Sequence, residues 1–264
     1  MYSTRVSGQS GRNSFSAAGS AKVRRTASMG TILVEISMNK LEFPQALVDR
    51  MMQRRGRLHM FETLDAKNTA LLVVDLQVHF MEEGSTSEIP SARDVVPNVN
   101  RLAAELRARG GHVVWVVSTY GPDDGDRWPN LFDHVLGAES ARNFRAALTE
   151  GAPGHAIWPE LDFRDGDPVV SKNRFGGFIG SKGQLEKVLR DRGIDTVLVV
   201  GTVTNVCCDA TAREAATFNF NTIMIADANG GRSEQEDMET YCVFIAVYGD
   251  VVLTDELITR LGSA

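Results

Sequence analysis

At 264 residues, 43% of them hydrophobic, the chain is long enough to bury a full core as one domain with an appendage. A net charge of −6 argues against a nucleic-acid or polyanion partner, and no apolar run of about 18 residues is present to span a membrane. The three cysteines, Cys207, Cys208 and Cys242, form no disulfide framework and suit a reducing cytoplasm in which a thiol stays reactive.

Residues 1–34 are rich in Ser, Gly and Ala, carry Arg5, Arg12, Lys22, Arg24 and Arg25, and contain no acid. Residues 1–38 read as a disordered basic tail, or as the product of a start upstream of Met29 or Met38. A transit peptide is the lesser reading, for want of an apolar helical face. Residues 39–65 read as a short helix and an extended arm that packs on the domain or on a neighbouring subunit. From residue 66 to 264, apolar strands alternate with amphipathic helices. Strands are expected at 69–74, 112–118, 168–171, 196–200, 222–226 and 251–253, and the first is apolar almost throughout, as for a strand covered on both faces. Helices are expected at 96–109, about 140–149, 182–192, after Cys207, at about 234–247, and from Asp255. The long connection 119–166 holds Trp128 and Trp158. This alternation predicts an α/β fold, a single-domain three-layer sandwich around a six-stranded, mainly parallel sheet. Ligands in such sheets bind past the carboxyl ends of the strands. Here those positions are Asp75, Ser118 to Tyr120, Lys172, Thr202 to Cys207, and Asp227.

Within that edge, Gly201-Thr-Val-Thr-Asn-Val-Cys207 joins a strand to a helix and sets a thiol at the helix start. There the free N–H groups and the helix dipole favour a thiolate, and the amides of the turn can receive an oxyanion. Asp75 can take the thiol proton and later return it to a leaving amine. Lys172 can hold the carboxylate, stabilise the thiolate or offset substrate charge. Singly, each has an ordinary structural explanation: a helix cap, a surface charge, a packed thiol. Three at the ends of strands in one sheet make a chemical set.

Val73-Val-Asp75-Leu-Gln77, Lys172-Asn-Arg-Phe-Gly-Gly-Phe178 and Gly201 to Cys207 with Thr211-Ala-Arg213 resemble the isochorismatase-like cysteine hydrolases, over about residues 66–264. Arg54-Arg-Gly-Arg-Leu-His59 and Asn219-Phe220 look most like the ureidoacrylate amidohydrolase branch. The resemblance implies a catalytic triad of Asp75, Lys172 and Cys207, a thioester intermediate and a departing amine. It also implies a cis peptide between Thr202 and Val203, with the amides of Val203 and Cys207 as the oxyanion hole. Relatives form dimers or tetramers, so a homo-oligomer is expected. Family members that hydrolyse isochorismate lack the cysteine, which argues against that reaction. Nicotinamidases bind a metal through an Asp-x-His pair after the second strand. Here Ser118-Thr-Tyr-Gly-Pro-Asp-Asp-Gly-Asp126 lacks it, so neither metal nor cofactor is expected. His134 reads as a surface or capping residue, Asn205 as fixing the turn, and Cys242 as core. Cys208, about 100° round the helix from Cys207, reads as packed on the sheet.

Candidate substrate-binding residues are Gln77, Phe80, Tyr120, Arg174 and Phe178, with Trp128 as a further wall. Arg174 pairs with a substrate carboxylate in one reading and makes a surface ion pair in the other. The sequence thus predicts a cytoplasmic cysteine amidohydrolase acting on a small linear ureido or amide compound. The alternatives are an N-carbamoyl amino acid or biuret-type substrate, or a silent member acting as a binding protein.

Overall fold

The computed structural model describes residues 41–121 and 128–262; the expected tail, 1–38, lies outside them. The strands are β1 (Thr69–Val74), β2 (His112–Ser118), β3 (Val169–Lys172), β4 (Thr196–Thr202), β5 (Asn221–Gly230) and β6 (Asp250–Val252). They pair in the order β3-β2-β1-β4-β5-β6, every pair parallel. All residues of β1 and β4 are buried, which explains their unbroken apolar runs. Alternate side chains serve opposite faces. Leu71, Val73, Leu198 and Val200 enter one core, while Ala70, Leu72, Val74, Val197 and Val199 enter the other.

The helices that cover the sheet are α1 (Gln45–Arg55), α2 (Val96–Ala108), α3 (Ala138–Ala147), α4 (Gln184–Arg190), α5 (Asp209–Thr217), α6 (Glu234–Val247) and α7 (Thr254–Arg260). Leu102 and Leu106 of α2 and Leu257 of α7 pack into the first core. Met51 of α1, Leu185 of α4, Ala212 of α5 and Phe244 of α6 pack into the second. Ser233 caps α6, its hydroxyl accepting from the Glu236 N–H at 3.3 Å, a contact worth about 1 kcal/mol.

Among the boundaries that differ from the sequence reading, three stand out. The helix expected at 182–192 starts at Gln184, because Lys182 and Gly183 take positive φ (54° and 85°) that no helix accommodates. Lys172 is the last residue of β3 and not the first beyond it. β5 runs on to Gly230 past a register shift opposite Val199 and Gly201, where Asn229 Nδ2 donates to Val199 O and Ile225 O at 3.0 and 2.7 Å. Asp227 thus falls inside β5, and its carboxylate accepts from the Thr254 N–H and hydroxyl at the start of α7.

The arm after α1 folds onto its own domain. Buried Asp250 accepts from the N–H groups of Met60 and Phe61 at 2.8 and 2.9 Å, while Arg260 donates to Phe61 O at 2.9 Å and to Asp250 at 3.3 Å. The connection after β2 also returns to the sheet. The Val78 N–H donates to Ala156 O and the Trp158 N–H to Leu76 O, both at 2.9 Å, so residues 156–158 line the end of β1.

Candidate active site

The end of the sheet collects the residues singled out from the sequence. β1 and β4 are neighbours, so the turns that follow them emerge side by side. β3 lies two strands from β1, roughly 10 Å at ordinary strand spacing. A lysine is long enough to cross that gap. Lys172 Nζ passes over the end of β2 and donates to Asp75 Oδ2 at 2.7 Å, to Ser118 Oγ at 2.9 Å and to Arg174 O at 3.2 Å. Neither Lys172 nor Asp75 is more than 1% exposed. All three ammonium hydrogens are engaged by the protein. Of the three roles open to Lys172 in the sequence, this geometry fits holding the carboxylate. Asp75 sits at φ 52°, an uncommon left-handed conformation that aspartate tolerates better than most residues, and its Oδ1 is buried without a hydrogen-bond partner.

The turn carrying Cys207 is built on Gly201. At φ 127°, a Cβ on Gly201 would stand 2.0 Å from Val74 O, so only glycine lets β4 lie this close to β1. The Thr202–Val203 peptide is cis. Thr202 Oγ1 donates to Gly230 O at 2.9 Å. Cys207 does not lie in the first turn of an α-helix, as the sequence implied, but in a wider turn, Thr204–Cys208, that runs into α5. The amides of Val206 and Cys208 both donate to Val203 O, and that of Asp209 to Thr204 O. Thr211 ties this turn to the loop after β3: its hydroxyl donates to Cys207 O at 2.7 Å and accepts from the Gly177 N–H at 3.0 Å.

The electrostatics act on the expected thiolate from both sides. Burial pushes the Cys207 thiol well up; the Lys172 ammonium opposes this and the Asp75 carboxylate adds to it. For Lys172, burial alone lowers the ammonium, but the charges of Asp75 and Cys207 prevail and hold it above its ordinary range. Cys207 thus stands within hydrogen-bonding reach of both Asp75 and Lys172, the first opposing its ionisation and the second favouring it.

The candidate binding residues separate into groups. Gln77 is fully buried, and its amide is spent on Ser118 N and O and on His155 O, so it is not a pocket wall. Phe178 is also a correction: it packs against Phe218 and Phe220 in the second core, its N–H held by Glu214 at 2.9 Å. Phe80 is buried edge-on against His79 and Phe144. Tyr120 is buried beside the site. Burial raises its phenol, Lys172 opposes this, and its hydroxyl is hydrogen-bonded with Ser118. Arg174 lies over the Trp128 ring, 5.2 Å from its centroid, and Trp128 meets Phe175 edge-on at 4.7 Å.

Phe175 packs against the cores on both faces, which puts it at the end of the sheet where they meet; the sequence reading passed over it inside the Lys172 motif. Thr204 and Asp237 were also missed. Asp237 looks from sequence like an acid in the first turn of α6, yet its carboxyl lies over Gly231 and beside Thr204, and burial pushes it up to about 6. His134 is exposed, as expected, whereas Cys242 is half-buried on α6 and not core. Cys208 is wholly buried in the second core. Among the described residues, no group of three or more His, Cys, Asp or Glu stands close enough to hold a metal ion.

Residues 69–256 match the isochorismatase domain family, and the chain belongs to that family of hydrolases. It is 30% identical over 180 residues to a ureidoacrylate amidohydrolase, RutB, of Rhizobium rhizogenes strain K84, covering 63% of this chain and 72% of that one. A crystal structure of a cysteine hydrolase from Pseudomonas syringae pv. phaseolicola 1448A superposes with a TM-score of 0.67 at 26% identity, covering 75% of this chain and 94% of the other. N-carbamoylsarcosine amidase from Thermoplasma acidophilum superposes with a TM-score of 0.58 at 29% identity, covering 71% and 97%.

Proposed function

We propose that this protein is a cysteine amidohydrolase that cleaves a C–N bond in a small linear ureido or amide compound, without a metal or cofactor. The observation that carries the reading is the buried meeting of Asp75, Lys172 and the Cys207 turn at one end of the sheet. In this reading Cys207 Sγ attacks the carbonyl carbon while its proton passes to Asp75. The amides of Val203 and Cys207 receive the oxyanion. Collapse of the tetrahedral intermediate breaks the C–N bond, and the amine leaves with the proton from Asp75. Water then attacks the thioester, giving its proton to Asp75, and the acid departs as the thiol is restored. Lys172 holds the Asp75 carboxyl group in place throughout.

The similarity to ureidoacrylate amidohydrolase RutB supports a ureidoacrylate-like substrate, and the likeness to N-carbamoylsarcosine amidase supports an N-carbamoyl amino acid as the alternative. Both carry a carboxylate beside a carbamoyl group, and Arg174, beside Trp128 and Phe175, is the candidate residue to pair with that carboxylate. The same reading makes the enzyme cytoplasmic and homo-oligomeric; no described helix is long and apolar enough to cross a membrane. Ammonia release from a panel of ureido compounds and linear amides, run on wild type beside Cys207→Ala, tests the proposal. Turnover that disappears in the variant, with a trapped acyl adduct on Cys207 by mass spectrometry, supports it. No turnover on any compound, with Cys207 inert to iodoacetamide, sinks it in favour of a silent binding protein.

A further inference from the structure

Gln77, three residues past β1, and Ser118, the last residue of β2, lie 41 residues apart in the chain, and their contact is unusually complete. The Gln77 amide grips the main chain of Ser118 from both sides. Its Nε2 donates to Ser118 O at 3.1 Å, and its Oε1 accepts from the Ser118 N–H at 2.8 Å. The second Nε2 hydrogen goes to His155 O at 2.9 Å, which ties the same amide to the returning connection. Gln77 is 0% exposed and Ser118 2%. Both donors of the amide are spent inside the protein, so none is left for a ligand.

The grip matters for the hydroxyl that Ser118 presents. Ser118 Oγ takes one of the three hydrogens of Lys172; Asp75 Oδ2 and Arg174 O take the others. Three fixed acceptors around an ammonium leave it a single orientation. If one is removed in a site this buried, a charged donor loses its partner and the ammonium turns toward whatever remains. Around it stand the Cys207 thiol, within hydrogen-bonding reach of Lys172, and the Tyr120 phenol, which shares the Ser118 hydroxyl and lies close enough to Lys172, Cys207 and Asp75 for their charges to act on it.

We propose that Ser118 and Gln77 are positioning residues of this site: Gln77 locks the Ser118 main chain, and the Ser118 hydroxyl sets the direction in which Lys172 addresses Asp75 and Cys207. The inference rests on the reading of Cys207 as nucleophile and Asp75 as its base. Neither Gln77 nor Ser118 touches the reacting atoms; both act through the ammonium.

The test uses the full chain with Ser118→Ala and Ser118→Thr, and measures two things. The first, which needs no substrate, is the rate of iodoacetamide alkylation at Cys207 from pH 6 to 10, read by mass spectrometry on the Cys207 peptide so that Cys208 and Cys242 do not interfere. The second is kcat and KM, taken separately, on an amide that the wild type turns over. Ser118→Ala is expected to slow alkylation across the range and to lower kcat roughly 10- to 100-fold, with KM within about twofold. Ser118→Thr, which restores the hydroxyl, is expected to recover both to within about threefold. A merely structural role gives the opposite sign, because a loosened site exposes the buried thiol and speeds its alkylation. Equal or faster alkylation in a folded Ser118→Ala protein, or no recovery in Ser118→Thr, overturns the proposal. Should Ser118→Ala fail to fold, Gln77→Glu keeps an acceptor for the Ser118 N–H and removes the Nε2 donors. It is expected to slow alkylation in the same direction, and an unchanged rate overturns the proposal. An absence of turnover on every amide defeats the hydrolase reading but leaves the alkylation comparison to decide the positioning role, so the two failures are told apart.

Discussion

Exchanging Lys172 for methionine removes the cation from a pair whose Nζ and Oδ2 atoms are 2.7 Å apart, with side chains 0% and 1% exposed. Methionine fills nearly the same volume, so the cavity contribution is small. What remains is a carboxylate buried without its partner, a state that costs about 3–5 kcal/mol. For a domain of this size 1 kcal/mol moves the melting temperature by about 2–4 °C, so a fall of roughly 6–20 °C is expected. Asp75→Asn strands the ammonium in the same way and carries a similar cost. The double variant Asp75→Asn/Lys172→Met contains neither charge, and it is expected to lie within about 2 kcal/mol of wild type or above it. The four proteins form a double-mutant cycle, measured by urea and thermal unfolding with Cys207 left in place. A coupling of about 3 kcal/mol or more supports a dry, tightly made pair. Costs that simply add, with a coupling below about 1 kcal/mol, would mean that water screens the pair as it does on a surface, and the burial described for the site would be refuted.

Three further outcomes are expected. Gly201→Ala puts a Cβ 2.0 Å from Val74 O at a φ of 127°, and should lower stability by about 2 kcal/mol or more by urea titration; an unchanged midpoint would contradict the close approach of β1 and β4. Asp237 is held near 6, above the ordinary aspartate value of 3.8, so its ionisation removes stability as pH rises from about 4 to about 6. Discounted for its partial exposure, Asp237→Asn should gain on the order of 1 kcal/mol at pH 7.5 and nothing at pH 3.5, read as melting temperature against pH; an equal gain at both values contradicts the assignment. Asp250→Ala frees the amides of Met60 and Phe61 and leaves Arg260 with Glu256 as its remaining carboxylate partner, a loss of about 1–3 kcal/mol. Trypsin is then expected to cut after Arg54, Arg55 or Arg57 well before the sheet domain, and cleavage no faster than in wild type would remove Asp250 from the role of anchor.

The parallel sheet was readable because its strands are covered on both faces and therefore appear as unbroken apolar runs between amphipathic helices. The positions of Asp75 and Cys207 were readable for a related reason: Asp75 directly follows β1 and Cys207 lies in the turn after β4, so the rule for strand ends reaches them. Side-chain bookkeeping was not readable. Gln77 sits three residues past β1 and looks like a pocket residue until its partners across β2 and the returning connection are known, and those lie 41 and 78 residues away in sequence. Phe178 falls in the second core because Glu214 holds its amide, a contact that no local pattern announces. For the Cys207 thiol the sequence reading weighed helix position without burial, which acts against the thiolate. Asp237 drew no notice because an acid in the first turn of a helix ordinarily serves only the helix dipole.

The order of the strands also bears on how the protein reaches its working form. β1 is flanked by β2, made soon after it, and by β4, made much later, and Lys172 meets Asp75 across 97 residues of intervening chain. Pairings of such long range close late, after much loop entropy has been spent. A chain arrested before residue 196 has no β4 beside β1 and no Cys207, whatever helices it has formed. An acylating probe of Cys207 that requires Asp75 and Lys172 in place would therefore count only fully assembled molecules, and could follow maturation of the protein in a living cell separately from its abundance.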